Sequence, residues 1–242
     1  RPVRLPTRKM CVSTIDLFDF SGPIAIAADV RGSLADPSVR GSLSSDELRV
    51  QSQISGTDIR NASVRGDFAG SRLRINSFRG TAPNGGAVNG SGVVDLANVL
   101  AANGRGPEID LRAGARNAQL VNARGLVASV TGPLRIVSNG SGGTIAGRLL
   151  VERASWRLGV GAETAQIPNI ETREINLPRD RYQPAAPGAP WRFLIDARAP
   201  SRVDVDGMGL DSEWSADIRV RGTTEEMRLG GEANLIRGDY TF

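Results

Sequence analysis

The stretch VRGSLADPSVRGSL, residues 30–43, contains the same pattern twice. Each copy of Val-Arg-Gly-Ser-Leu places a glycine between large apolar residues that lie two positions before and two positions after it. Since residues i, i+2 and i+4 of a strand project to one face, each glycine belongs to the apolar face of a strand. The Asp36-Pro37 pair between the copies is typical of a turn. The stretch therefore predicts two strands joined by a turn, each with a glycine on its apolar side.

The same alternation continues along the chain. Between residues 24 and 34 every even position is apolar or small, whereas Asp29, Arg31 and Ser33 occupy odd positions. Only residues 95–102 offer a short helical candidate. The sequence therefore predicts an all-β fold, an elongated and folded-over antiparallel sheet with an apolar interior and about sixteen strands. Further strands are predicted at 48–54, 62–68, 90–96, 145–151, 191–197, 214–222 and 229–235.

Seven glycines have a large apolar residue both two positions before and two positions after them. Chance predicts about two such glycines at this composition. Glycine inside a strand marks a bulge, a bend or a close approach of another group. We therefore predict that these residues form the crease at which the sheet folds over: Gly22, Gly32, Gly41, Gly66, Gly132, Gly147 and Gly238.

The large apolar residues of the same strand face are predicted to line a groove. An ordinary packed core is the alternative interpretation of the alternation. The predicted lining consists of Ile24, Ile26, Val30, Leu34, Leu48, Val50, Val64, Phe68, Val94, Leu96, Leu134, Ile136, Leu149, Val151, Phe193, Ile195, Val203, Val205, Ile218, Val220, Leu229 and Leu235.

Composition excludes several kinds of chemistry. The chain has no histidine and a single cysteine, Cys11. These counts exclude an intramolecular disulfide, a multi-cysteine zinc site and histidine-based nucleophile systems. The Asp204-Val-Asp206-Gly207 stretch lacks the further acidic positions of a calcium loop. We therefore expect no enzyme activity, no cofactor and no metal site, and Cys11 is either a link between two chains or a free thiol.

The positive charge of the chain does not indicate a nucleic-acid-binding protein. All but one of the 30 basic residues are arginines, with Lys9 the exception, and they are scattered along the chain. Many lie between apolar residues, where alternation directs them to the solvated face of a strand. Aromatic residues are too few for a base-stacking platform. We therefore expect no nucleic-acid partner.

A proline-rich segment divides the β region. Five prolines lie among polar residues between 161 and 190, which is typical of a surface loop or linker. The expected organisation is an irregular lead-in at 1–19, a folded sheet at 20–160, the loop or linker at 161–190, and a continuation of the sheet at 191–242. Because the sequence opens on Arg1 and stops on a strand-like segment, we expect it to be part of a longer protein, with the sheet cut at its carboxy end.

Three stretches resemble the TamB carboxy-terminal domain family, a member of the AsmA-like group. They are residues 22–43, residues 115–136 and residues 202–242, of which the last is the most specific, with VDVDGMGLDSEWSADIRVRG followed by a glycine-bearing hairpin. The resemblance implies a folded-over sheet known as a β-taco with a continuous apolar interior. It also implies a periplasmic protein, anchored to the inner membrane through a segment absent from this sequence.

The resemblance implies two functions that stay open at this point. The first is carriage of phospholipid between the inner and outer membranes, with acyl chains in the groove. Moving one phospholipid through water costs on the order of 25 kcal/mol, because about thirty methylenes are exposed at about 0.8 kcal/mol each. The alternative is a chaperone or assembly factor for outer-membrane proteins and autotransporters, which pairs with strands at an open sheet edge. Both imply an outer-membrane β-barrel of the BamA/TamA kind as partner, in contact with a region beyond this sequence.

Overall fold

The structure is a computed structural model that describes residues 18–33, 36–52, 55–100, 105–160 and 189–241. Cys11, Leu34 and most of the segments 1–19 and 161–190 lie outside the described residues. The described strands are β1 (Asp19–Ser21), β2 (Ala25–Ser33), β3 (Asp36–Ser52), β4 (Thr57–Ala69), β5 (Arg72–Thr81), β6 (Ala87–Asp95), β7 (Glu108–Ala123), β8 (Leu126–Asn139), β9 (Gly143–Arg157), β10 (Arg192–Gly207), β11 (Leu210–Gly222) and β12 (Met227–Tyr240).

All twelve described strands belong to one open sheet, which confirms the predicted all-β class. The order is β1-β3-β4-β5-β6-β7-β8-β9-β10-β11-β12. Strand β2 lies outside this linear order, because it pairs with the first part of β3 while β1 pairs with the last part. Neighbouring strands are antiparallel except β9 and β10, which run parallel, with Phe193 paired to Ile145. Parallel strands cannot be joined by a tight hairpin. Residues 158–191, which include the proline-rich segment, form this connection.

The strands are longer than the sequence pattern suggested. The expectation was about sixteen short strands, whereas β3, β7 and β10 contain 17, 16 and 16 residues. Irregularities inside these strands explain the difference, because a bulge interrupts the alternation without ending the strand. A long bulged strand therefore has the sequence pattern of two shorter ones.

Three of the register shifts fall beside non-glycine residues with positive φ. These residues are Asn61 of β4 (48°), Asn117 of β7 (45°) and Arg202 of β10 (63°). Asparagine enters the left-handed region more easily than most residues, and a bulge bends its strand and increases the twist. The tripeptide Arg-Asn-Ala occurs at both asparagine sites, at residues 60–62 and 116–118. The bends of β4 and β7 therefore occur at asparagine bulges, which the glycine pattern does not mark.

Phe18 shows that the sheet folds over on itself. This side chain packs against a buried cluster in β3, β4, β7 and β8, and also against a second cluster that contains Ile145 of β9 and Phe193 of β10. Phe18 directly precedes β1, and β1 lies seven positions from β9 in the strand order. In a flat sheet that separation would be roughly 34 Å. The contact therefore requires a curved sheet whose first and later strands face each other.

A seam between β4 and β7 holds one end of the fold together. The β5–β6 hairpin is short and turns at Pro83–Gly85, so the ends of the longer β4 and β7 meet beyond it. The Thr57 hydroxyl donates a hydrogen bond to the Leu120 carbonyl oxygen at 2.6 Å, and the Asn122 N–H donates to the Ser55 carbonyl oxygen at 2.7 Å. The bulge alanines Ala62 and Ala118 are both fully buried there.

The helical candidate at 95–102 contains one short helix, α1 (Ala97–Leu100). The Ala97 N–H donates a hydrogen bond to Asp95 Oδ1 at 3.0 Å, which satisfies a donor at the start of the helix. This hydrogen bond is the main reason that the pKa of Asp95 lies below its usual value. Asp95 thus ends β6, and its side chain caps the start of α1.

Candidate functional site

The pairing register defines one face of the sheet, which we call the inner face. Residues paired across neighbouring strands project to the same side. One row of pairs therefore crosses ten strands on a single face, from β3 to β12. Its members are Ser45, Val64, Phe78, Gly90, Ala113, Leu134, Gly147, Ile195, Val220 and Leu229.

The inner face carries the predicted lining residues of the paired strands. From β2 to β12 these are Ile26, Leu48, Val50, Val64, Phe68, Val94, Leu134, Ile136, Leu149, Val151, Phe193, Ile195, Val203, Val205, Ile218, Val220, Leu229 and Leu235. Ile24 directly precedes β2, and Leu96 directly follows β6. Val30 is described only by its backbone pairing with Val39. Whether these residues line a groove for a guest stays a prediction.

Exposure along the inner face increases from the β4–β7 seam toward β12. Leu48 and Val50 are buried in the cluster near the β4–β7 seam, whereas Ile136 and Ile218 are half-buried. Leu229 on β12 is 71% exposed. No large side chain among the described residues is fully buried. The inner face is therefore an apolar surface that is covered at one end and open at the other.

The predicted lining omits several apolar residues of the inner face. A second row of pairs runs through Leu43, Gly66, Ile75, Gly92, Leu111 and Ile136. The alternation in Leu73-Arg74-Ile75 and in Ile109-Asp110-Leu111 is the signal that identifies these apolar residues. The row also shows that glycines alternate with large side chains across the strands. The apolar face is thus wider than the predicted lining.

The predicted crease glycines lie where neighbouring groups approach closely. A Cβ atom at Gly147 would lie 2.7 Å from Leu134 Cδ2, and one at Gly66 would lie 2.7 Å from the Arg74 carbonyl oxygen. Gly132 has a φ of 149°, which favours glycine. Gly22, Gly41 and Gly238 are also approached by backbone or Cβ atoms of a neighbouring strand, whereas Gly32 is described only by its backbone pairing with Pro37. The role of these glycines as a crease stays a prediction.

The opposite side of the sheet, which we call the outer face, carries arginines paired with carboxylates of neighbouring strands. Arg49 Nε of β3 lies 2.6 Å from Asp58 Oδ1 of β4, and Arg60 Nη2, on the same strand as Asp58, lies 2.6 Å from Asp58 Oδ2. The hydrogen bond from Arg49 is the main cause that lowers the pKa of Asp58 to about 2. Further pairs of this kind are Arg65–Asp46, Arg72–Asp95, Arg135–Asp110, Arg157–Asp206, Arg221–Asp196 and Arg237–Glu213.

The described residues contain no group of three or more acidic, cysteine or histidine side chains placed to hold a metal ion. Asp206, from the stretch compared with a calcium loop, instead accepts a hydrogen bond from Arg157 Nε at 3.2 Å. In the part of the chain that the structure describes, no helix is long and apolar enough to cross a membrane. The described chemistry is therefore that of two contrasting sheet faces.

These features define a class of protein: an open, folded-over all-β sheet with an apolar inner face and a charged outer face. The family model of the TamB C-terminal domain matches residues 76–242. The chain belongs to this family, which confirms the resemblance seen in the sequence. A search of curated proteins gave no match, and a search of solved structures gave no match.

Family membership carries a general function. The TamB family is a non-enzymatic transport or assembly component, and it implies a periplasmic, envelope-associated protein. It is known for interaction with outer-membrane assembly machinery. The family implies a role either in outer-membrane protein assembly or in lipid transport. The inner face and the edge strand β12 are the two features that bear on this choice.

Proposed function

We propose that this protein carries phospholipid between the inner and outer membranes, with the acyl chains held against the inner face. The observation that supports this proposal is the row of inner-face positions that crosses ten strands and contains only apolar residues, glycine and Ser45. Such a row offers hydrocarbon a continuous apolar surface in place of water. Phe18 packs against two clusters from distant parts of the strand order, which supports a folded sheet that encloses part of this surface.

The proposal requires an apolar face that the protein does not fill with its own side chains. Half-buried residues such as Ile136, Ile195 and Ile218 meet this requirement, because each leaves apolar area exposed. Full burial of one such side chain is worth about 1.5–3 kcal/mol, so a bound acyl chain gains free energy by covering several of them. The lipid head group remains in water at the open side of the fold.

Photo-crosslinking from adjacent positions of one strand tests the proposal. Ile136 lies on the inner face, and its neighbour Val137 is an apolar residue of the outer face that is 37% exposed. A photoreactive amino acid at Ile136 in the intact protein should capture phospholipid, identified by mass spectrometry, whereas the same group at Val137 should not. Ile195 and Leu194 form a second matched pair on β10. Equal capture from both faces, or no lipid from either, would contradict the proposal.

The second candidate function, assembly of outer-membrane proteins, is favoured by the free edge of β12. This strand pairs with β11 on one side, and no described strand pairs with its other side. All 14 residues of β12 are exposed. An unpaired edge offers backbone donors and acceptors to an incoming strand. Contact with an outer-membrane β-barrel of the BamA/TamA kind is part of this second proposal.

Proline substitution separates edge pairing from lipid carriage. Successive N–H groups of a strand point in opposite directions across the sheet, so Ala233→Pro and Asn234→Pro remove donors on opposite sides of β12. One of the two variants keeps the backbone hydrogen bonds between β12 and β11. If an incoming strand pairs with the other side of β12, that variant should lose the assembly of outer-membrane proteins. Retained assembly in both variants, with secondary structure intact by circular dichroism, would argue against edge pairing. Lipid capture at Ile136 should be unaffected by either variant.

A further inference from the structure

A concavity on the outer face lies opposite the apolar surface of β8–β12. It has a volume of about 850 Å³, and the charged residues that line it are Arg148, Asp196, Arg198, Asp217, Arg219 and Glu232. Volumes of this size are typical of sites for small molecules or polar head groups. Its charged side chains belong to the outer face by register, whereas Leu149 and Ile218 of the inner face also contribute to its lining. The charged groups of the concavity are nevertheless a feature of the outer face.

The pairing register sets three of these charges in one row. Asp196 of β10 is paired in register with Arg148 of β9 on one side and with Arg219 of β11 on the other. On register alone, the carboxylate would be shared between the two guanidinium groups. Adjacent strands lie about 4.8 Å apart, so Arg148 and Arg219 flank Asp196 on the same face of the sheet.

A third arginine, Arg221, forms the ion pair with the Asp196 carboxylate instead. Arg221 Nη2 lies 2.5 Å from Asp196 Oδ1. Arg221 Nη1 donates to the carbonyl oxygens of Ile195 at 2.8 Å and Val220 at 3.0 Å, which hold the guanidinium in place. The negative charge of Asp196 is thus already matched.

Arg148 and Arg219 are consequently left without carboxylate partners among the described residues. Arg198 is in contact with Asp217, with 3.8 Å between Nε and Oδ1. Glu232 has no ion-pair partner in the described part of the chain. The unmatched charges of the concavity are therefore two guanidinium groups and one carboxylate. Other outer-face arginines, such as Arg74 and Arg79, also have no ion pair among the described residues, but they lie outside the concavity.

We propose that the outer-face concavity binds a phosphate group through Arg148 and Arg219. A guanidinium presents a planar fork of donors that matches the oxygens of a phosphate, and two forks on one anion give a charge-assisted, bidentate arrangement. The group belongs to a soluble phosphate compound or to a lipid head group, and both present the same oxygens. The proposed phosphate site does not depend on whether the inner face carries lipid.

The test measures binding of two probes to the full chain by isothermal titration calorimetry at low salt. The probes are inorganic phosphate and dihexanoyl phosphatidylglycerol below its critical micelle concentration. Arg148→Gln combined with Arg219→Gln should weaken binding by at least about tenfold, because each substitution removes a charge-assisted interaction. The matched control combines Arg74→Gln with Arg79→Gln, two outer-face arginines of β5 outside the concavity. The control should change the affinity by less than about twofold.

A second variant keeps the test decisive if the double substitution disturbs folding. Glu232→Gln removes the unmatched carboxylate of the concavity and should tighten phosphate binding, because the repulsion of the anion is lost. Saturable binding of inorganic phosphate alone supports a soluble compound, and binding of the lipid probe alone or of both probes supports a head group. The proposal is overturned if neither probe binds saturably, or if the control weakens binding as much as the Arg148 and Arg219 substitutions.

Discussion

At the scale of single residues, the bulge asparagines determine where β4 and β7 bend. Asn117 has a φ of 45°, and its N–H donates to the Thr131 hydroxyl oxygen at 2.9 Å. A β-branched residue in this conformation is strained by about 1–2 kcal/mol. We therefore expect Asn117→Val to lower the free energy of unfolding by about that amount, as measured by urea denaturation.

Glycine provides the control for this substitution. Asn117→Gly keeps the left-handed conformation accessible without a Cβ atom, so it should unfold close to the wild-type midpoint. The side chain of Asn117 is exposed, and neither substitution removes a buried contact. If the valine and glycine variants had equal stability, backbone strain at the bulge would not explain the preference for asparagine.

Asp58 gives the outer face a pH dependence. Its hydrogen bond with Arg49 holds its pKa at about 2, below the value of 3.8 that is normal for the free side chain. A carboxyl group with a lowered folded-state pKa contributes stability above its unfolded-state pKa and loses it as the pH falls through the folded-state value. The stability contributed by Asp58 is therefore full above about pH 4 and decreases toward pH 2.

Asp58→Asn should remove this contribution. We expect a loss of about 1–2 kcal/mol at pH 7, reduced by the exposure of the arginine partners, and a smaller difference from wild type near pH 2. Urea denaturation at both pH values measures the change. Asp46→Asn is the matched control, because Asp46 also pairs with an arginine but its side chain is 70% exposed. A difference at pH 7 that persists unchanged at pH 2 would contradict this assignment.

At the scale of strands, alternation predicted the faces better than the boundaries. Residues such as Ile136 and Ile218 fall on the expected face because a strand repeats every two residues. The bulge at Asn61 was not predictable in this way, since a bulge is a local change of register that leaves composition unaltered. The parallel orientation of β9 and β10 depends on the connection at residues 158–191, and alternation within a strand does not specify that orientation.

The β4–β7 seam was also beyond sequence pattern, because it joins strands that are not neighbours in the sheet. Ala118 is fully buried there, whereas Ala113 lies on the same strand and face but is half-buried. Ala118→Leu adds three carbon atoms to a filled space and should destabilise the fold by about 1–3 kcal/mol. Ala113→Leu should have a smaller effect in the same urea titration. Equal effects would show that the seam has room for the larger side chain.

At the scale of the whole molecule, the two faces have different chemistry and are proposed to have different ligands. The inner face offers apolar area across ten strands, and the outer face offers charged side chains that include Arg148 and Arg219, which have no ion pair among the described residues. The two faces share strands, since Ile218 and Arg219 are neighbours on β11. Substitutions on one face can therefore be compared with substitutions on the other at nearly the same point of the fold.

Lipid carriage and edge pairing predict different spatial patterns of loss. If acyl chains move along the inner face across the strands, a carboxylate at any point interrupts the path, because an unpaired charge in an apolar site is costly. Ile75→Asp, Ile136→Asp and Ile218→Asp lie on β5, β8 and β11. We expect each alone to reduce phospholipid transfer between the two membranes of intact cells to the level of a deletion, with Val137→Asp on the outer face as the control. If only Ile218→Asp, the substitution nearest to β12, impaired function, binding at the free edge would be favoured instead.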